Sequence, residues 1–167
     1  MATPTSLPAT FVAGNVLTAA QMNDLRGAFR ILQVVRATDS TDRSTTSSSY
    51  VDGNISVTIT PTSATSTLLI VWTASVGLVS VSNSVGYQRI TTSAGVALSG
   101  ANDSLVGASI SSGVYIPTTL IGYAAPATTS AVTYKGQIAV SGSGSPTLTL
   151  RNSSSNTGQM LALEISA

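Results

Sequence analysis

The sequence predicts an all-β protein: an antiparallel β-sandwich or jelly-roll domain preceded by an extended N-terminal arm and one short α-helix. Three observations carry this expectation. Apolar residues recur at every second position through several short stretches. One longer stretch, Thr67 to Val76, is apolar on both parities. Turn-forming residues punctuate the chain at short intervals.

The elements follow in chain order. Residues 1–16 carry Pro4, Pro8 and Gly14 without a clear period, which describes an extended arm. Thr18, followed three positions later by Gln21, has the form of a capping box and opens a helix over Thr18 to Leu32. Met22, Leu25, Phe29 and Leu32 then recur at spacings of three, four and three. That seam serves either of two purposes. It is an oligomerisation and anchoring stripe, or it packs the helix on its own domain. The N-terminal unit is set at residues 1–33 and the β-domain at 34–167.

From Ile31 onward the period turns to two. Ile55, Val57 and Ile59 alternate with hydroxyl residues, as do Leu148 and Leu150. Val132, Tyr134, Gly136, Ile138 and Val140 form one parity of another stretch, and Leu161, Leu163 and Ile165 of a fourth. Each describes a strand with one wetted face. Thr67 to Val76 fits a central strand covered on both faces. Weaker candidates lie at Ile31–Thr38, Val85–Thr91, Leu105–Ile110 and Val114–Tyr123, making about eight to ten strands in all. The segments Asp39–Ser49, Pro61–Ser66, Ser80–Ser84, Ser99–Asp103, Ser141–Pro146 and Arg151–Gly158 are rich in turn formers.

Composition narrows function by what it lacks. The 167 residues include no His and no Cys, and only 8% are charged. Ser and Thr make up nearly a third of the chain. Disulfides, Cys-bearing zinc sites, Cys nucleophiles and His general bases are excluded. The six acidic residues, Asp24, Asp39, Asp42, Asp52, Asp103 and Glu164, have no spacing that recommends a catalytic pair or a cation loop. The run Ser141-Gly142-Ser143-Gly144-Ser145 departs from a nucleophile elbow, and no phosphate-cradling glycine motif is present. No catalytic, cofactor-binding or metal residue is therefore expected. A net charge of +1 gives no electrostatic case for nucleic acid. The most apolar run, Leu68 to Val81, is too short for a spanning helix, and the N-terminus lacks the pattern of a secretory signal. Trp72 belongs to the core by its position in the most apolar strand. Tyr115 and Tyr123 remain as candidates for ligand contact, with a host-surface glycan or protein as the ligand.

Several segments carry a family resemblance. Phe11-Val12-Ala13-Gly14-Asn15-Val16-Leu17-Thr18-Ala19-Ala20-Gln21-Met22-Asn23 resembles the N-terminal segment of small tail and fibre proteins of tailed bacteriophages. Arg43-Ser44-Thr45-Thr46-Ser47-Ser48-Ser49-Tyr50-Val51, with Ser56–Thr62 and Leu68–Trp72, is similar to the opening of their β-domains, and Met160–Ile165 to their last strand. The resemblance implies a non-enzymatic virion structural protein of the tail, tail fibre or capsid decoration, made in the bacterial cytoplasm. It implies a homotrimer joined to other virion proteins through residues 1–33. The chain has no long coiled-coil or β-helical shaft, so the resemblance points to a short appendage. A carbohydrate-binding module is the alternative from another class.

Overall fold

A computed structural model describes residues 16, 18, 19, 31–79, 82–102, 104–108 and 115–166. Ten strands run through them: β1 Ile31–Asp39, β2 Arg43–Thr45, β3 Val51–Ile59, β4 Thr67–Val79, β5 Ser82–Thr92, β6 Ser104–Ala108, β7 Ile116–Ala124, β8 Val132–Ser143, β9 Thr147–Leu150 and β10 Gly158–Ile165. Every pairing is antiparallel, as expected for an all-β sandwich.

β4 is the spine of a six-stranded sheet. Its 13 residues have space for two partners along one edge, β10 opposite Thr67–Thr73 and β9 opposite Val76–Val79. β7 pairs along the other edge, from Leu68 to Val76. β1 closes the sheet beside β10, and β2 beside β9. The second sheet runs β3-β8-β5-β6. Period-two patterning fixes which faces meet. Ile55, Val57 and Ile59 of β3 are buried, and the residues between them are exposed. Leu68, Ile70, Trp72, Ala74 and Val76 of β4 point the same way into the core and pack with Ile138, Leu148, Leu150 and Met160.

Trp72 shows how closely the sheets approach. It is 1% exposed, and its ring lies over Gly136 of β8. A Cβ at Gly136 would stand 3.0 Å from the ring and 2.9 Å from Ile55 Cγ2. Glycine is needed there for space. Gly136→Ala is expected to destabilise the fold by about 1–3 kcal/mol through overpacking. The check is the midpoint of urea unfolding, with the slope unchanged.

Several expectations shift. β2 lies inside a stretch taken from the sequence as turn, because Arg43-Ser44-Thr45 offers no apolar alternation and is defined by its pairing to β9. β5 and β8 extend into the Ser-rich separators at Ser82–Ser84 and Ser141–Ser143. β1 opens at Ile31, so Leu32 stands in a strand and not at the end of the helix. Met22, Leu25 and Phe29, like most of residues 1–30, lie outside the described residues. β4 is fully buried on one face only; Leu69, Val71, Thr73 and Ser75 on the other are half-buried.

Candidate functional site

The described carboxylates are engaged within the fold. Asp42 Oδ2 accepts from Arg151 at 2.7 Å, Asp39 faces Arg43 at 3.6 Å, and Asp52 faces Lys135 at 3.7 Å. Asp24 and Asp103 lie outside the described residues. Among the described residues no group of three or more acidic side chains is placed to hold a metal ion.

Glu164 is the exception in kind. It is 0% exposed and has no cationic partner among its hydrogen bonds. Gln33 Nε2 of β1 donates to its Oε2 at 2.6 Å. The Thr62 backbone N–H and hydroxyl, in the β3–β4 turn, donate to Oε1 at 2.8 and 2.9 Å. Burial acts to raise its carboxyl pKa. Hydrogen bonding from Gln33 and Thr62 outweighs burial and holds it below the ordinary value. The group fastens both ends of the β-domain to the β3–β4 turn, since Gln33 also donates to Thr60 O at 2.7 Å. Its role is structural, because every donor that reaches it belongs to the fold.

The two tyrosines do not come together. Tyr115 precedes β7, and Arg151 sits over its ring at 5.5 Å. Tyr123 is near the far end of β7, opposite Leu69. Eight residues of extended chain separate them by roughly 25 Å. A second ring–guanidinium pair, Arg89 over Tyr50 at 3.8 Å, lies elsewhere and had no signal in the sequence.

A cleft of about 420 Å³ opens between β4, β7 and the turn before β10. Hydroxyls and amides line it, and many already have partners. Thr118 donates to Ala74 O, Thr157 to Ser153 O and Asn156 to Arg151 O, while Gln159 accepts from Arg36.

Among the described residues, nothing covers the outer face of the larger sheet. Strand register sets two rows across four strands. One runs Val34, Leu163, Leu69, Tyr123; the next runs Arg36, Leu161, Val71, Ile121. Ile165 extends the apolar area toward Ile31. Val34, Ile121 and Tyr123 are each at least 50% exposed, and the apolar residues between them on β4 and β10 are half-buried. The next row, Thr38, Gln159, Thr73 and Thr119, is polar and bounds the patch. Arg36 supplies the one formal charge in these rows, and its Nε donates to Gln159 Oε1 at 2.9 Å. A contiguous apolar face of this kind is the usual mark of an interaction surface. In the sequence it showed as the double apolar parity of Thr67–Val76 and as the alternation of Leu161, Leu163 and Ile165, a parity that reads as core-facing until register turns it outward. The contributions of Val34, Ile121 and Tyr123 depend on register.

No protein-family model matches the chain, and no curated protein matches it. Solved structures of infectious bursal disease virus show partial similarity. The 2.6 Å structure of infectious bursal virus derived T=1 particles has a TM-score of 0.44 and 16% identity over 81% of this chain and 36% of that one. The T13 viral particle of the same virus gives 0.45 and 16% over 98% and 43%. Its Gt strain gives 0.42 and 13% over 96% and 42%. The chain spans less than half the length of each.

Proposed function

We propose that this chain is a non-enzymatic structural protein of a virus particle. In its most concrete form it is a tail-fibre or tail-tip component of a tailed bacteriophage that meets the host surface as a trimer. The observation that carries this reading is the apolar face left uncovered among the described residues, on a sandwich whose other described surfaces are hydroxyl-rich and whose few charges are mostly paired within the fold. Such a face gains cover in an assembly, and a surface of this composition suits close packing against other subunits. Support comes also from the resemblance of residues 11–23, 43–51 and 160–165 to phage tail and fibre proteins. In this reading residues 1–33 join neighbouring virion proteins and the β-domain faces outward.

A capsid-decoration role with the same N-terminal attachment is the second reading. It is favoured by the absence of an extended shaft among the described residues. Imaging of particles that carry the chain separates the two. Density at the tail tip is the expected result, and density on the capsid selects decoration. A chain absent from particles, active as a monomer on a glycan or cell-wall polymer, overturns both.

A further inference from the structure

The outer face of the second, four-stranded sheet carries a group of hydrogen-bond donors that the described residues leave without acceptors. We propose that this face binds an acidic polysaccharide, with the Arg89 guanidinium holding a sugar carboxylate and Gln137 and Lys135 donating beside it.

Register assembles the group. Asp52 of β3, Gln137 of β8 and Arg89 of β5 stand in one row across three strands. Lys135 lies two residues along β8 and so shares their face. The opposite parity, with Ile55, Ile138 and Ile90, is buried in the core, so the row faces outward. Tyr50 immediately precedes β3, on the far side of β8 from β5. The Arg89 side chain therefore reaches across β8, and its guanidinium carbon lies 3.8 Å from the centre of the Tyr50 ring.

The argument turns on what each group has left to offer. Arg89 Nε donates to Gln137 Oε1 at 2.9 Å. Among the described residues no carboxylate pairs with Arg89, and its two Nη groups have no acceptor. Gln137 spends its oxygen on Arg89, which leaves its Nε2 as a donor. Asp52, the carboxylate in the row, is committed. Its Oδ1 accepts from the Asn54 backbone N–H at 2.8 Å, and its Oδ2 faces Lys135 at 3.7 Å. Two cations thus meet one carboxylate, and donors exceed acceptors. Such a surface selects an anion rich in acceptors, and the paired Nη groups of an arginine match the two oxygens of a carboxylate.

Preorganisation separates Arg89 from an ordinary surface arginine. Arg36 makes a similar bond to Gln159, but it is exposed. Arg89 is half-buried and held both by Gln137 and by the Tyr50 ring. Its rotamer is fixed before a ligand arrives, so little further ordering entropy is lost on binding. The surroundings suit a sugar. Tyr87, two residues before Arg89 on the same face, presents a half-buried ring. Ser56, Thr58 and Thr133 continue the face as hydroxyls. The choice of a saccharide over another acidic polymer rests on the host-surface reading of this chain, whereas the preference for an anion rests on Arg89 and its neighbours.

Isothermal titration of the full chain at low salt tests it. The probes are oligogalacturonate, its methyl ester as the uncharged counterpart, oligomers of sialic acid, and polyphosphate. At least one of the two acidic sugars is expected to bind, and the ester of the galacturonate is expected to bind no better than a tenth as well. Arg89→Lys should weaken binding about tenfold or more, because an ammonium cannot form the fork. Gln137→Glu gives Arg89 a carboxylate of its own and keeps the side chain's size, so it should weaken binding as much while the unfolding midpoint is retained. Arg36→Gln, on the other sheet, should leave binding unchanged. No binding of either acidic sugar at millimolar concentration overturns the proposal. So does equal binding of acid and ester, equal weakening by Arg36→Gln, or tighter binding of polyphosphate than of both sugars. These titrations use the isolated chain, so their outcome is independent of where particle imaging places it.

Discussion

Trp72→Ala is expected to lower the unfolding free energy by about 3–5 kcal/mol, the range for truncating a large buried aromatic. Trp72 is among the largest fully buried side chains, and it fills the space left by Gly136 on the opposite sheet. Its loss leaves a cavity lined by β4 and β8. Those strands are held in their own hydrogen-bonded sheets and cannot both collapse inward, so the residual void stays large. Thermal unfolding followed by circular dichroism should show a drop on the order of 10 °C for a chain of this size. Trp72→Phe should recover a good part of it. A change in midpoint below 2 °C for the Ala variant would remove Trp72 from the centre of the core.

Glu164→Ala is the second large effect, expected at about 1–3 kcal/mol because it strands the donors of Gln33 and Thr62. Glu164→Gln keeps one acceptor and should cost less. The same carboxylate gives the fold a pH dependence. Its folded pKa lies below the ordinary value of 4.5, so the unfolded chain takes up the proton first. Its contribution is fully present above about pH 5 and disappears as pH falls below 4.5 through the folded pKa. Unfolding midpoints at pH 7 and pH 3 should therefore converge between wild type and Glu164→Gln. An equal gap at both pH values would assign the stabilisation to something other than the ionised carboxylate.

Legibility in the sequence followed the range of the interactions. β3 and β8 declare themselves by period-two patterning because burial against the core acts residue by residue. The alternation of β10 marks a strand but inverts its faces: Met160, Ala162 and Glu164 are buried, while Leu161, Leu163 and Ile165 look outward and are half-buried, because pairing with β4 and β1 sets the register. β2 has three polar or charged residues and exists through its neighbour β9, so nothing local marks it. Leu32 fits the helical spacing and the strand period equally well. Tertiary pairing with β10 begins at Ile31 and decides between them. Glu164 gave no sign of its importance, since its partners lie 101 to 131 positions away. The outer face was visible as apolar residues on β4 and β10, without the register that brings them together. Strand register was needed to show that Tyr123, considered as a ligand contact, sits beside Leu69 in an apolar row.

The pairing of β1 with β10 has a consequence for biosynthesis. Gln33 and the Glu164 carboxylate that receives it are 131 positions apart, so β1 leaves the ribosome long before its partner exists. Until β10 emerges, β1 is an unpaired edge carrying Val34 and Val35, with Arg36 and Asp39 the charges that discourage pairing with other nascent chains. Closure of the larger sheet is thus a late step, governed by when β10 itself leaves the ribosome.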